Sequence, residues 1–133
     1  MTNSSWIILP SSVTLEMVRC ALAPLGDSVS YYDPDSPTQL RIEYPEPWPT
    51  NDRMEVDDDL ATIDEVIEDM PEHLRSRIPD PVYFILWQHG LDRAEEILST
   101  LARSTLAHGP MIIAPHGCKF YEPAEYLALP EKW

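Results

Sequence analysis

The sequence predicts an α+β fold in which helices pack mainly on one face of a mixed β-sheet. Short apolar runs typical of strands alternate along the chain with apolar stripes at helical spacing. Residues 81–115 combine two such runs around one such stripe, which is the pattern of a strand, a crossover helix and a second strand. The chain has 133 residues, of which 44% are hydrophobic, so we expect a single domain over residues 1–133 with its own core.

The N-terminal third is predicted to form a strand, a helix and a hairpin. Residues 6–9 are an apolar run of strand length. The helix that follows carries one apolar stripe, formed by Leu15, Val18, Leu22 and Leu25. Residues 29–32 and 38–44 flank a cluster of turn-forming residues, and the second segment alternates apolar and polar side chains. We therefore expect a hairpin with one face on the core and the other in water.

Three prolines surround Trp48 in the segment PEPWP at residues 45–49. Proline fixes φ and lacks an N–H donor, so this segment is predicted to be extended. Two roles for Trp48 fit an extended segment. The indole pins the segment to the body of the protein, which is the interpretation we favour, or it is a recognition ligand for an aromatic-lined groove.

The charge of the chain is concentrated between Glu43 and Glu72. This window contains twelve acidic residues and one basic residue, Arg53, and so carries −11 of the net charge of −14. A surface of this charge repels nucleic-acid phosphates and anionic lipid, and it attracts a basic partner. The simpler interpretation is that the acidity keeps the protein soluble.

Part of the acidic window is predicted to be a helix. Its apolar stripe consists of Leu60, Ile63, Ile67 and Met70, with Val66 beside it. Its opposite face carries Asp64, Glu65, Glu68 and Asp69. Asp58 or Asp59 is placed to cap the first turn, and Pro71 ends the helix. Acids four residues apart repel one another, so we expect burial of the apolar stripe to hold this helix in place.

The segment 81–115 has the clearest pattern in the chain. Residues 82–87 form an unbroken apolar run, which suits a strand that is buried on both faces. Asp92 and Glu95 form a capping-box pattern at the start of the helix that follows. Residues 111–114 are a second apolar run. Two strands of one sheet that are joined by a crossover helix are expected to run parallel.

The C-terminal residues, 116–133, contain large apolar side chains and are expected to pack across the body. The predicted order is strand, helix, strand, strand, acidic helix, strand, helix, strand. This order favours a ferredoxin-like or related sandwich that carries the acidic helix as an addition. A small three-layer α/β fold is the alternative. Such folds host many functions, so the fold does not name an activity.

Asp57, Asp58 and Asp59 form the densest carboxylate cluster. Carboxylate oxygens are the ligands that Mg²⁺ and Ca²⁺ prefer. Consecutive residues point in different directions, however, and the cluster lacks the spacing of a calcium loop. A solvated run that caps the helix is the stronger interpretation, so we predict no metal and no cofactor here.

His89, His116 and Cys118 follow the two strands of segment 81–115. They would meet at one edge of the sheet if those strands were parallel neighbours, and ligand sites favour that edge. The three side chains would then form a zinc site or a Cys–His nucleophile pair. No catalytic motif accompanies them, which makes this the weaker hypothesis.

Several common classes of protein are excluded by missing patterns. The sequence contains neither a phosphate-binding P-loop nor a GxGxxG motif. It has no signal-peptide pattern and no apolar segment long enough for a membrane span, so the expected location is the cytoplasm. Of the two cysteines, Cys20 lies on an apolar helical stretch and is predicted to be a small core residue, although a disulfide with Cys118 stays open.

Small size, acidity and the lack of catalytic motifs give the chain the general character of bacterial immunity proteins and antitoxins. We therefore predict a non-enzymatic binding protein that inhibits or neutralises a basic protein partner, and that binds neither nucleic acid nor membrane. The predicted partner-binding residues are Tyr44, Trp48, Asp57, Asp58, Asp59, Asp64, Glu65, Glu68 and Asp69. One alternative is a small enzyme or ligand-binding protein with its site at the strand ends near His89, His116 and Cys118. The other is a regulatory or structural subunit whose acidity serves solubility.

Overall fold

The described part of the chain is an α+β fold built on one open antiparallel sheet. A computed structural model of the protein describes residues 3–44, 50–88, 91–115 and 119–130. The six strands in these ranges are β1 Asn3–Pro10, β2 Val29–Tyr31, β3 Gln39–Tyr44, β4 Thr50–Val56, β5 Pro81–Gln88 and β6 Ile112–Ala114. The five α-helices in the same ranges are α1 Leu15–Ala21, α2 Leu60–Asp69, α3 Glu72–Arg75, α4 Leu91–Ala102 and α5 Pro123–Ala128.

The strand order across the sheet is β2-β3-β4-β5-β1-β6, and the neighbouring strands are antiparallel. The expectation of a mixed sheet is therefore wrong for the described strands. β5 and β6 run in the same direction, as expected, but they are not neighbours, because β1 lies between them and pairs with both. The physical reason is that residues 6–9 of β1 are buried on both faces, so this strand belongs at the centre of the sheet and not at its edge.

The predicted hairpin is confirmed, and a strand that was not predicted joins it to the rest of the sheet. β2 pairs antiparallel with β3, with Val29 opposite Ile42. The added strand is β4, whose sequence TNDRMEV lies inside the acidic window and has few apolar residues. Pairing with β3 and β5 buries the side chains of Asp52 and Met54 completely. β2 and β3 therefore extend the sheet beyond β4.

Helices cover both faces of this sheet. On the first face, α1, α4 and α5 pack over a core that includes Ile7 and Phe84. On the second face, α2 and α3 pack over a core that includes Ile8 and Ile85. Strand β5 contributes to both cores, which confirms that it is buried on both faces. The longest of these helices, α4, has 12 residues, and no helix in the described ranges is long and apolar enough to cross a bilayer.

The C-terminal segment packs across the body as far as it is described, to residue 130. Tyr121 forms a short antiparallel bridge with Ile113 of β6. Tyr126 of α5 is fully buried in the first-face core, and this burial raises the pKa of its hydroxyl. Phe120 packs against the second-face core. These contacts confirm that the described large apolar residues of the tail are anchored on the protein; Trp133 lies outside the described residues.

The acidic helix α2 contacts the sheet with the predicted apolar stripe, except for Leu60. Leu60 is 74% exposed, whereas Val66 and Met70 are buried, and Ile63 and Ile67 are partly buried against the second-face core. The expectation that Leu60 helps to bury the helix is therefore wrong. Leu60 is the first residue of α2, and the helix reaches the sheet only one turn later. The stripe that does contact the sheet keeps the helical spacing i, i+3, i+4, i+7.

Truncation of one side chain in the buried part of α2 and of one in its exposed first turn should change the free energy of unfolding by different amounts. We expect Val66→Ala to lower the free energy of unfolding by about 1.5 kcal/mol, because two buried methyl groups are lost. Leu60→Ala should change the free energy of unfolding by less than about 0.5 kcal/mol. Urea denaturation followed by circular dichroism measures both values. Equal losses for the two variants would contradict the exposed position of Leu60.

Candidate functional site

Exposed carboxylates follow one another along α2 and the turn before it. We call this set the acidic ridge; it consists of Asp58, Asp59, Asp64, Glu65, Glu68 and Asp69, all of which are exposed. The side chain of Asp59 caps the helix by accepting a hydrogen bond from the backbone N–H of Ala61 at 3.0 Å. This confirms the expected cap. Because the opposite side of α2 is buried on the sheet, the ridge carboxylates project into solvent.

The acidic ridge has no counter-charge within the described residues. The ion pairs there involve glutamates outside the ridge, such as Glu72 with Arg75 and Glu122 with Arg77. Helix α2 itself contains no basic residue. Acids spaced along one helix repel one another by a few tenths of a kcal/mol per pair. The ridge therefore presents an uncompensated negative potential to anything that approaches this side of the protein.

Asp57 precedes the ridge but has a different role in the structure. Its Oδ2 accepts a hydrogen bond from Nε1 of Trp6 at 3.1 Å, and its Oδ1 accepts one from the backbone N–H of Asp59 at 3.0 Å. Its own backbone N–H donates to the carbonyl oxygen of Tyr83 at 2.7 Å. Asp57 thus links β1, β5 and the start of α2, so this carboxylate has a structural role.

A concave surface lies beside the ridge. It is formed where the N-terminal turn of α2 meets the C-terminal end of β4 and the neighbouring residues of β5. We call it the acidic recess. It encloses about 580 Å³, and its walls include Glu55, Val56, Asp57, Asp58, Asp59 and Trp87. Val56 is 44% exposed. The recess therefore combines carboxylates with an indole ring and an exposed aliphatic side chain.

One wall of the acidic recess is held by hydrogen bonds between neighbouring strands. Nε1 of Trp87 donates to Oε1 of Glu55 at 3.1 Å, and Nε2 of Gln39 donates to Oε2 of the same carboxylate at 2.6 Å. Arg53 lies directly opposite Trp87 in the sheet, and its guanidinium carbon is 5.9 Å from the centroid of the indole ring. These contacts fix the orientation of Glu55 and of the ring before any partner arrives.

Sequence reasoning missed the recess because it missed β4. Glu55 and Trp87 lie on the same face of neighbouring strands, and Val56 is the last residue of β4. The alternation of apolar and polar residues from 52 to 56 was the signal that could have revealed the strand. It is weak, because one of the inward residues is Asp52, which is itself fully buried.

Several predicted site residues cannot be placed. The backbone of Tyr44 ends β3 and pairs with Thr50, but its side chain lies outside the description. Trp48 lies outside the described residues, and so do the strand-end candidates His89, His116 and Cys118. Among the residues that are described, no group of three or more His, Cys, Asp or Glu side chains is arranged to hold a metal ion.

A carboxyl group with a lowered pKa belongs to a separate cluster on α1. Glu16 pairs with Arg19 and accepts a hydrogen bond from the hydroxyl of Tyr31. The hydrogen bond from Arg19, and then that from Tyr31, lower the pKa of Glu16 to about 2. Cys20 is exposed beside this carboxylate, so its predicted place in the core is wrong. All of these partners are internal, and the cluster ties α1 to β2.

Comparison with known proteins gives no relative from which to transfer a function. No model of a protein family matches the chain, and neither a curated protein nor a solved structure matches it.

Proposed function

We propose that the chain is a small acidic binding protein that docks its acidic ridge on a basic protein partner and inhibits it, in the manner of an immunity protein or antitoxin. The observation that carries this proposal is the ridge itself. It places six exposed carboxylates, without counter-charges among the described residues, on α2 and the turn before it, and the buried stripe of α2 holds this helix in place. Charges on a fixed scaffold can match a complementary surface without first being ordered.

The physical effect of the ridge would be twofold. Its potential raises the rate of encounter with a positively charged partner, since opposite charges steer diffusion. A partner that binds phosphates in a basic groove would also lose access to that groove when the ridge lies in it, because the carboxylates occupy the positions of phosphates. Both effects weaken as salt is added, because the Debye length falls from about 10 Å at 0.1 M salt to about 3 Å at 1 M.

A charge-reversal experiment tests the ridge. We expect Glu65→Lys with Glu68→Lys to slow association with a partner captured from the native host by tenfold or more at low salt, because steered on-rates exceed neutral ones by about 10–1,000-fold. The control is Glu96→Lys with Asp35→Lys, which makes the same change in net charge at two exposed positions outside α2. Surface plasmon resonance at low and high salt measures the rates.

The competing proposal, that the acidity only keeps the protein soluble, makes a different prediction. In that case the two double variants would lose solubility alike, and neither would change a rate of association. Equal association rates for the ridge variant, the control variant and the wild type would refute the ridge as a docking surface.

We also propose a finer description of the fold and of the protein's setting. Strands β6-β1-β5-β4 with α1 and α4 on one face would form a ferredoxin-like sandwich, extended by the hairpin β2–β3 and by α2. The strand order and the two crossovers support this assignment. We propose a single domain, and a cytoplasmic location supported by the free thiol of Cys20, which suits a reducing compartment.

A further inference from the structure

One exposed apolar side chain lines the acidic recess and another lies directly beside it, although a solubilising surface requires neither. Among the described residues, four large hydrophobic side chains are exposed: Met17, Tyr32, Val56 and Leu60. Val56 lines the recess, and Leu60 directly follows Asp59, which also lines it. Two of these four side chains thus lie within or beside the most acidic part of the described surface. Exposed apolar groups rimmed by charges are typical of a contact surface.

The walls of the recess complement one kind of side chain. An arginine has an apolar stem that packs on aliphatic and aromatic groups, and a planar cation that binds carboxylates and stacks on indole rings. Trp87 offers the aromatic surface beside Glu55, and Val56 offers an apolar side chain on the other face where β4 ends. The carboxylates of Asp58 and Glu55 offer the negative charge. The ring of Trp87 already lies near one guanidinium, that of Arg53. A volume of about 580 Å³ is ample for one side chain of this size.

Two of the carboxylates in the recess are oriented by neutral donors. Indole N–H groups hold both of them: Trp87 donates to Glu55, and Trp6 donates to Asp57. A carboxylate has about four lone-pair positions, so each one keeps the capacity to accept bonds from a cation. Glu55 forms an ion pair with Arg53, in which Nη2 of Arg53 lies 4.0 Å from Oε1 of Glu55. A cation that enters therefore meets fixed acceptors whose charge is weakly compensated.

We propose that the acidic recess receives an arginine side chain of the basic partner and so fixes the register of the docked ridge. This inference rests on the proposed function, since it gives the ridge an anchor point at its N-terminal end. Arginine is favoured over lysine, because its planar guanidinium stacks on Trp87 and pairs with a carboxylate through two N–H groups. The ridge then raises the rate of association with the partner, and the recess determines which partner residue binds.

The test uses an acetylated and amidated hexa-arginine peptide, with hexalysine of the same charge as its comparison, at fixed ionic strength. Binding is followed by the backbone amide signals of residues 55–62 and the indole N–H signal of Trp87 in nuclear magnetic resonance titrations. We expect hexa-arginine to bind about two- to fivefold more tightly than hexalysine, the range that a cation–π contact provides. The indole signal of Trp87 should shift with the arginine peptide in particular.

Two matched pairs of variants locate the binding. Asp58→Asn, inside the recess, should weaken hexa-arginine binding by up to about fivefold, and by more than Asp69→Asn at the far end of the ridge. Val56→Ser should also weaken hexa-arginine binding, whereas Met17→Ser should not. Met17 is a suitable control because it is 42% exposed and Val56 is 44% exposed, so both variants should fold.

The outcomes separate this inference from the proposed function. If both peptides bind equally, and the two aspartate variants weaken binding equally, the ridge binds cations without a preferred anchor, so the recess proposal fails and the ridge proposal stands. If neither peptide shifts any signal of α2 or Trp87, both proposals fail. A difference confined to Asp58→Asn and Val56→Ser supports the recess.

Discussion

Phe84→Ala is expected to lower the free energy of unfolding by about 3–5 kcal/mol, the largest effect of any change considered for this protein. Phe84 is fully buried in β5 and lies opposite Ile7 of β1 and Val56 of β4. It also belongs to the first-face core, against which α4 packs. Truncation removes the ring and leaves a cavity between strands and helix that these paired elements cannot easily fill.

Chemical denaturation with urea measures this loss, provided that the denaturant slope of the variant equals that of the wild type. Val82→Ala is the matched control, because Val82 lies two residues earlier in β5, on the same face, and is only partly buried. We expect its loss to be about 1.5 kcal/mol or less. A loss for Phe84→Ala no larger than that of the control would contradict the central position of β5.

Asp57→Ala is expected to lower the free energy of unfolding by about 2–3 kcal/mol. This loss is large for an acidic cluster, in which removal of one negative charge ordinarily has little effect on stability. The reason is that two donors lose their acceptor. The indole N–H of Trp6, a residue only 8% exposed, would be left without its partner, and so would the backbone N–H of Asp59. Hydrogen bonds to a charged group contribute about 1.5–3 kcal/mol, and an orphaned buried donor is costly.

Asp58→Ala provides the control for this prediction. Asp58 is adjacent and exposed, and it makes no hydrogen bond or ion pair with the described residues, so its loss should change the unfolding free energy by less than about 0.5 kcal/mol. A double-mutant cycle with Trp6→Phe isolates the contact between Trp6 and Asp57. If the two aspartate variants were equally stable, or if the cycle gave no coupling, Asp57 would not be the link between β1 and α2.

This distinction matters for any binding experiment on the acidic cluster. A weaker interaction after Asp57→Ala would report a displaced helix as much as a lost charge, because Asp57 positions the start of α2. Asp58 and the exposed residues farther along the ridge do not have this double role. Neutralisation at those positions therefore separates the contribution of charge from that of structure.

The elements with strong local patterns were predictable from the chain alone. The apolar runs at 6–9 and 82–87 became the strands β1 and β5. The turn-forming cluster between 32 and 38 became the bend of the hairpin β2–β3. The concentration of charge on one side of α2 also followed from the spacing of its residues. In each of these cases neighbours in the sequence carry the signal, since strand and helix periodicities are local properties.

The rest depended on pairing between distant segments, which local periodicity does not encode. The insertion of β1 between β5 and β6 turned an expected parallel pair into an antiparallel sheet. The pairing of β4 with β3 and β5 buried Asp52 and brought Glu55 beside Trp87. The acidic recess exists because these two strands meet the start of α2, so its residues, far apart in the chain, become neighbours only when the sheet is assembled.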